Sequence, residues 1–84
     1  MTDSKKYYVY ILECNDYSLY TGYTTDIDAR VATHNKGLGA KYTRGRLPAE
    51  LRYVEVFETK GEALKREHAI KQLSKQQKLA LIGG

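Results

Sequence analysis

Eighty-four residues allow one small domain: a chain of this length buries roughly 60 to 65 % of its unfolded surface, which leaves no material for a second core. A single cysteine, Cys14, excludes an internal disulfide, and the absence of C-x-x-C or paired Cys/His spacings argues against structural zinc, so a reducing, cytoplasmic setting is expected. The start MTDSKKYYVYILEC lacks the apolar core of a leader, no stretch approaches the ~20 apolar residues of a spanning helix, and the net charge of +4 favours a polyanionic partner if the cations cluster.

The first elements are two strands in the run Tyr7 to Tyr23, YYVYILECNDYSLYTGY, which holds six of the eight tyrosines. Alternate strand residues share a face, so Tyr7, Val9 and Ile11 point one way and Tyr8, Tyr10 and Leu12 the other. Both sets are apolar, the pattern of a central strand covered above and below. Asn15 and Asp16 supply turn chemistry, and Ser18 to Tyr23 returns. A three-residue connection sets Tyr10 opposite Gly22 and on the same face as Tyr20; a slip of one residue would put the two rings on opposite faces. Gly22 weakens a strand interior, which marks a place where a ligand or another backbone comes close. Tyrosine outnumbers phenylalanine eight to one, so a phenolic oxygen is being supplied repeatedly, beyond the filling of a core.

Thr24, Thr25 and Asp26 offer N-caps for a helix to about Asn35, with Ile27, Val31 and His34 at helical spacing and Gly37 to end it. On it Arg30 and His34, four residues apart, lie one above the other. GLGAKYTRGRLP then reads as a mobile loop rather than an element, punctuated by Gly37, Gly39, Gly45 and Pro48. It is not a phosphate-binding P-loop, because Arg46 and Leu47 follow Gly45 where Lys and Ser/Thr are required. From Lys36 to Arg52 the cations Lys36, Lys41, Arg44, Arg46 and Arg52 face Glu50 alone, so the positive charge does cluster. Leu51 to Glu58 alternates as a third strand. Thr59 with Glu62, and Ser74 with Gln77, are capping boxes opening helices to about Leu73 and about Ile82. Residues 1–5 and 83–84 are expected to be disordered tails of the single domain 1–84.

The helix after Thr59 contains an anomaly. Its apolar stripe runs Leu64, Ile70, Leu73, and the residue completing the series is Glu67. An unpaired buried carboxylate costs several kcal/mol, so Glu67 is expected to be ion-paired with Arg30 or another cation, protonated, or holding a cation.

Tyr8-Val9-Tyr10, then Tyr20-Thr21-Gly22, then Arg30 and finally Glu67 on a late helix resemble the GIY-YIG nuclease family over almost the whole chain. His34-Asn35-Lys36-Gly37, Lys41-Tyr42-Thr43-Arg44 and Arg66-Glu67 followed by Ile70-Lys71 are similar to its small stand-alone bacterial branch. Tyr8 stands where the name-giving glycine would, Val9 and Thr21 replace isoleucines, and the late asparagine of many members has no counterpart, since Asn15 and Asn35 are both upstream. The resemblance implies an α/β fold of the α+β kind, a three-stranded antiparallel sheet flanked by helices, which agrees with the order β-β-α-β-α-α read above. It also implies phosphodiester hydrolysis with one divalent metal, Mg2+ or Mn2+, on Glu67. Tyr10 takes the part of general base towards water, Tyr20 positions water or phosphate, Arg30 neutralises charge on the phosphate, and His34 orients or deprotonates Tyr10. A phenol near pKa 10 serves as a base at neutral pH only if nearby positive charge lowers it.

In the loop, Lys36, Lys41, Arg44 and Arg46 suit phosphates and Tyr42 suits stacking on an unpaired base. No element is built to read base sequence in a groove, so recognition of shape or of single-stranded regions is expected, in DNA rather than RNA, as in repair. The expected actor is a monomeric, metal-dependent endonuclease, with a protein partner as the source of substrate specificity. The alternative is a nucleic-acid-binding module of nuclease fold that does not cleave or cleaves only with a partner.

Overall fold

Strand β1 (Tyr7–Glu13) is the middle of a three-stranded antiparallel sheet in the computed structural model of the chain, which describes residues 5–83. Its neighbours are β2 (Leu19–Thr24) and β3 (Glu50–Phe57), in the order β2-β1-β3. The expected tails fall partly on 1–4 and 84, outside the described residues, whereas the Gly83 N–H bonds back to the Leu79 and Ala80 carbonyls and so belongs to a helix end.

The register follows from the turn. Cys14 N–H donates to the Ser18 carbonyl at 2.9 Å and closes a loop of Asn15, Asp16 and Tyr17, with the Asp16 carboxylate accepting from the Ser18 N–H at 3.1 Å. Tyr10 therefore pairs with Gly22 and Leu12 with Tyr20. A bulge between Ile11 and Leu12 in the pairing with β3 adjusts the other edge.

The two faces of β1 are covered by different layers. Val9 and Ile11 pack with Leu19, Ala63 and Ile70 in one cluster, while Tyr10, Leu12 and Ala49 form another with Ile27 and Val31 against them. The second layer is helix α1 (Ile27–Asn35) with the loop after it; the first is α3 (Lys60–Lys71) and α4 (Lys75–Ile82). Side-chain caps start each of these helices: Asp26 accepts from Ala29 N–H, Thr59 from Glu62 N–H, and Ser74 exchanges bonds with Gln77 in a full capping box. At Thr59 the Glu62 carboxylate meets the threonine hydroxyl at 3.2 Å, so the second half of that box is a side-chain bond. Arg66 grips Glu55 through Nε and Nη2 at 2.9 and 3.0 Å, and Tyr53 donates to the same carboxylate, which ties α3 to β3.

Two expectations are corrected. The segment after Gly37 is not a bare loop: Lys41–Arg44 forms a one-turn helix, α2, whose Thr43 is buried. The buried seam of α3 is Ala63 and Ile70, with Leu64 40 % exposed, so the stripe keeps Glu67, Ile70 and Leu73 but begins at Ala63, four residues before Glu67, rather than at Leu64. Glu67 stays on the seam, one turn from each of Ala63 and Ile70.

Candidate active site

The site begins with a missing side chain. Gly22 lies opposite Tyr10, and a Cβ on it would overlap the Tyr10 hydroxyl and Cζ. The close approach expected at Gly22 is thus made by the Tyr10 ring, which reaches across the sheet until its oxygen lies over the edge strand β2. Tyr10 is nevertheless only 1 % exposed, so its hydroxyl must find partners within the fold.

Both partners come from α1. His34 Nε2 lies 3.0 Å from the Tyr10 oxygen, and Arg30 Nε donates to that oxygen at 3.4 Å. A guanidinium only donates, so the Tyr10 proton has one acceptor in this set, His34 Nε2. The imidazole therefore carries its proton on Nδ1, an assignment that follows from the hydrogen bonding. Burial and the neighbouring Arg30 charge both push His34 below its ordinary 6.5, keeping the ring neutral and Nε2 open. Burial raises Tyr10 above 10.0 and outweighs the bond from Arg30, with the charges of Tyr20 and Glu67 adding to the rise. His34 thus supplies an acceptor to the phenol, and the positive charge beside it is that of Arg30, held protonated by its bond to Tyr10.

Tyr20 extends the site along the same face. Its ring centroid is 5.2 Å from His34, 6.4 Å from Tyr10 and 5.8 Å from Tyr42, so the rings form a continuous row out to α2. Tyr42 is held from behind: the Arg46 guanidinium lies 4.3 Å from its ring centroid, donates to the Tyr42 carbonyl at 2.7 Å and pairs with Asp16 at 3.0 Å. Arg46 is therefore engaged within the fold. Lys36, Lys41 and Arg44 are exposed and have no carboxylate partner among the described residues. Beside Tyr42 a pocket of about 210 Å³ is lined by Asp16, Ser18, Leu19, Lys75 and Lys78. Burial and the nearby Lys71 charge lower Lys78 from its ordinary value.

Glu67 comes from the other layer, yet its negative charge is felt at Tyr10. Its side chain is 18 % exposed, and its partner is Lys71 at 3.2 Å, one turn along α3, rather than Arg30. Among the described residues no group of three His, Cys, Asp or Glu could enclose a metal. One carboxylate, an oxygen donor at a partly open position, fits a hard ion such as magnesium or manganese, which keeps several waters and completes its shell with substrate phosphate.

The structure thus brings Tyr10, Tyr20, Arg30 and His34 together, with Glu67 within electrostatic reach and Tyr42 next in the row. Sequence reasoning missed Thr43 and Gly39, which back His34.

A three-stranded sheet in this order, with a tyrosine lying across a glycine of the neighbouring strand and an arginine on the next helix donating to its hydroxyl, is the frame of a class of nucleases. Residues 6–80 match the GIY-YIG catalytic domain, and the chain belongs to that family of nucleases, which act on nucleic acid and generally use a divalent metal. It is 60 % identical over 77 residues to a UPF0213 protein of Staphylococcus haemolyticus, covering 92 % of this chain and 94 % of that one. A UPF0213 protein of Halobacterium salinarum is also 60 % identical, over 90 % of this chain and 99 % of its own. The solution NMR structure of a UPF0213 protein from Bacillus halodurans is similar with a TM-score of 0.61 and 51 % identity, covering 93 % of this chain and 83 % of that one. Among the described residues no helix is long and apolar enough to cross a membrane.

Proposed function

We propose that this chain is a metal-dependent endonuclease that hydrolyses phosphodiester bonds in structured or single-stranded regions of DNA, in the service of repair or recombination. The observation that carries this reading is the buried row Arg30–Tyr10–His34, in which a neutral imidazole accepts from a phenol whose oxygen faces a fixed guanidinium. Such a row moves a proton without a free phenolate. The Tyr10 oxygen takes a proton from the attacking water as its own passes to His34 Nε2. The water oxygen bonds to phosphorus, the P–O bond to the leaving oxygen breaks, and solvent returns a proton to that oxygen. Burial and, after it, the Arg30 charge depress His34; bound phosphate offsets the second of these, so substrate binding strengthens the base in part. The guanidinium N–H groups of Arg30 other than Nε face the developing phosphate charge. A magnesium or manganese ion held by Glu67 supplies polarisation of the phosphate and stabilisation of the leaving oxygen.

On the substrate side, Lys36, Lys41 and Arg44 meet phosphates, and Tyr42, braced by Arg46, stacks on an unpaired base. The test is cleavage of single-stranded, duplex, flapped and branched DNA and of RNA, with magnesium, manganese or EDTA, beside Glu67→Ala. Metal-dependent cutting is expected to fall ~100- to 1,000-fold in the variant with the fold intact, given the partial exposure of Glu67. Binding without metal-dependent cutting on every substrate would instead assign the chain to nucleic-acid-binding modules.

A further inference from the structure

We infer that Thr43 is a positioning residue that sets the tautomer of His34, and so decides whether Nε2 can take the Tyr10 proton. The inference rests on the reading of Tyr10 and His34 as the proton-handling pair and adds to it a residue that touches neither water nor phosphate.

Two groups compete for His34 Nδ1, and they demand opposite protonation. The Ala40 N–H lies 3.4 Å away and can only donate, so it favours a bare Nδ1 and sends the ring proton to Nε2. With Nε2 protonated, the Tyr10 oxygen would receive N–H groups from both His34 and Arg30, and the phenol proton would lose its acceptor in a buried site. The Thr43 hydroxyl lies nearer, at 2.8 Å, and can accept from Nδ1 if its own proton goes elsewhere. It does, to the Ala40 carbonyl at 3.0 Å. One directed chain then satisfies each short bond: Tyr10 O–H to Nε2, Nδ1–H to Thr43 Oγ1, and Thr43 O–H to the Ala40 carbonyl.

The backbone fixes the hydroxyl that makes this choice. Thr43 is fully buried, its N–H donates to the Ala40 carbonyl at 3.1 Å, and its own carbonyl accepts from Arg46 N–H at 3.0 Å. Gly39 allows α2 to come this close, since a Cβ there would overlap His34 Nδ1 and lie 2.7 Å from Cγ. Helix α2 also carries Lys41, Tyr42 and Arg44, so the turn that faces substrate is the turn that holds the base in its competent form.

The experiment is nitrogen and carbon NMR of the His34 ring near neutral pH in the full chain, for the natural protein, Thr43→Ser, Thr43→Val and Thr43→Ala, with cleavage rates measured in parallel. Natural protein and Thr43→Ser are expected to hold the proton on Nδ1. Thr43→Val and Thr43→Ala are expected to shift it to Nε2, and cleavage to fall about 10- to 100-fold, as for loss of an outer-shell partner. An Nε2–H ring in the natural protein overturns the inference, a result that needs no variant to fold. So does an Nδ1–H ring that persists in folded Thr43→Val. If the natural protein cuts nothing, the proposed activity fails, while the ring signals still decide the role of Thr43.

Discussion

The two faces of strand β1 solve different problems with alternate residues of one segment. Val9 and Ile11 meet Ala63 and Ile70 in a cluster whose buried members are all aliphatic, with Tyr7, Tyr23 and Tyr53 at its margin. One residue away, Tyr10 meets His34, Arg30 and, through His34, Thr43, so its face is packed as tightly but with polar groups that satisfy one another. The first face has no directional demand beyond shape. The second stands only if each donor has its acceptor, and that requirement fixes the tautomer, the glycine at 39 and the one-turn helix. Stability and chemistry are thereby separated by a single step along the chain, which makes the separation open to test.

The largest expected effect is on the apolar face. Ile11→Ala removes a fully buried side chain from the central strand and is expected to lower stability by ~2–5 kcal/mol. That is a large part of the ~5–15 kcal/mol typical of a whole domain. Because Ile11 points away from Tyr10, the folded fraction is expected to cleave at close to the natural rate. Denaturant unfolding with single-turnover kinetics on the same sample checks this, and a rate per folded molecule that falls with stability would show that the faces are coupled.

The sheet and its register were legible because period-two patterning and turn chemistry act locally. A three-residue loop at Asn15 to Tyr17 leaves one parity, and that parity puts Tyr10 over Gly22. The caps at Thr59 and Ser74 were equally plain, while Asp26 was one of three candidates with Thr24 and Thr25. Thr43 was not, since a four-residue helix has no periodicity to display and its hydroxyl gains meaning only from a histidine nine positions earlier. Helix α3 misled by one residue because its buried positions include a small Ala63 while the larger Leu64 faces outward. Glu67 was legible as an anomaly, but its partner Lys71 sat at ordinary i,i+4 spacing.

An intermediate effect is expected with pH, and it belongs to the polar face. The folded protein holds His34 below its ordinary 6.5, so below that pH the unfolded chain binds a proton that the folded chain refuses. The stability contribution is complete above about 6.5 and is lost as pH falls from there towards the folded pKa, with a slope of up to about 1.4 kcal/mol per pH unit. Tyr10 gives the mirror case: its pKa is raised, so stability is complete below about 10 and is lost as pH rises past that value. The contributions of His34 and Tyr10 are thus both complete between the two values. Replacing His34 by Gln should flatten the slope immediately below 6.5. A slope unchanged in that variant would mean that the buried ring does not titrate as its surroundings require.

The smallest effects are expected at the solvent side of α2, and here the two arginines of the loop are predicted to part company. Lys41 and Arg44 are exposed and have no carboxylate partner among the described residues, so each offers little beyond charge. Replacing either by Ala should leave the fold alone and lower the slope of log affinity against log salt by about one per lost phosphate contact, whatever the sequence of the bound DNA. Arg46 has its guanidinium committed to Asp16, the Tyr42 carbonyl and the Tyr42 ring. Arg46→Ala should thus change the salt slope little, because no phosphate contact is removed. It should instead free the Tyr42 ring, which weakens binding to single strands more than to duplex, since stacking is worth ~1–3 kcal/mol per base. Titrations of single-stranded and duplex DNA at several salt concentrations separate the two cases. Equal slope changes for Arg44→Ala and Arg46→Ala would mean that Arg46 leaves its internal partners to bind phosphate.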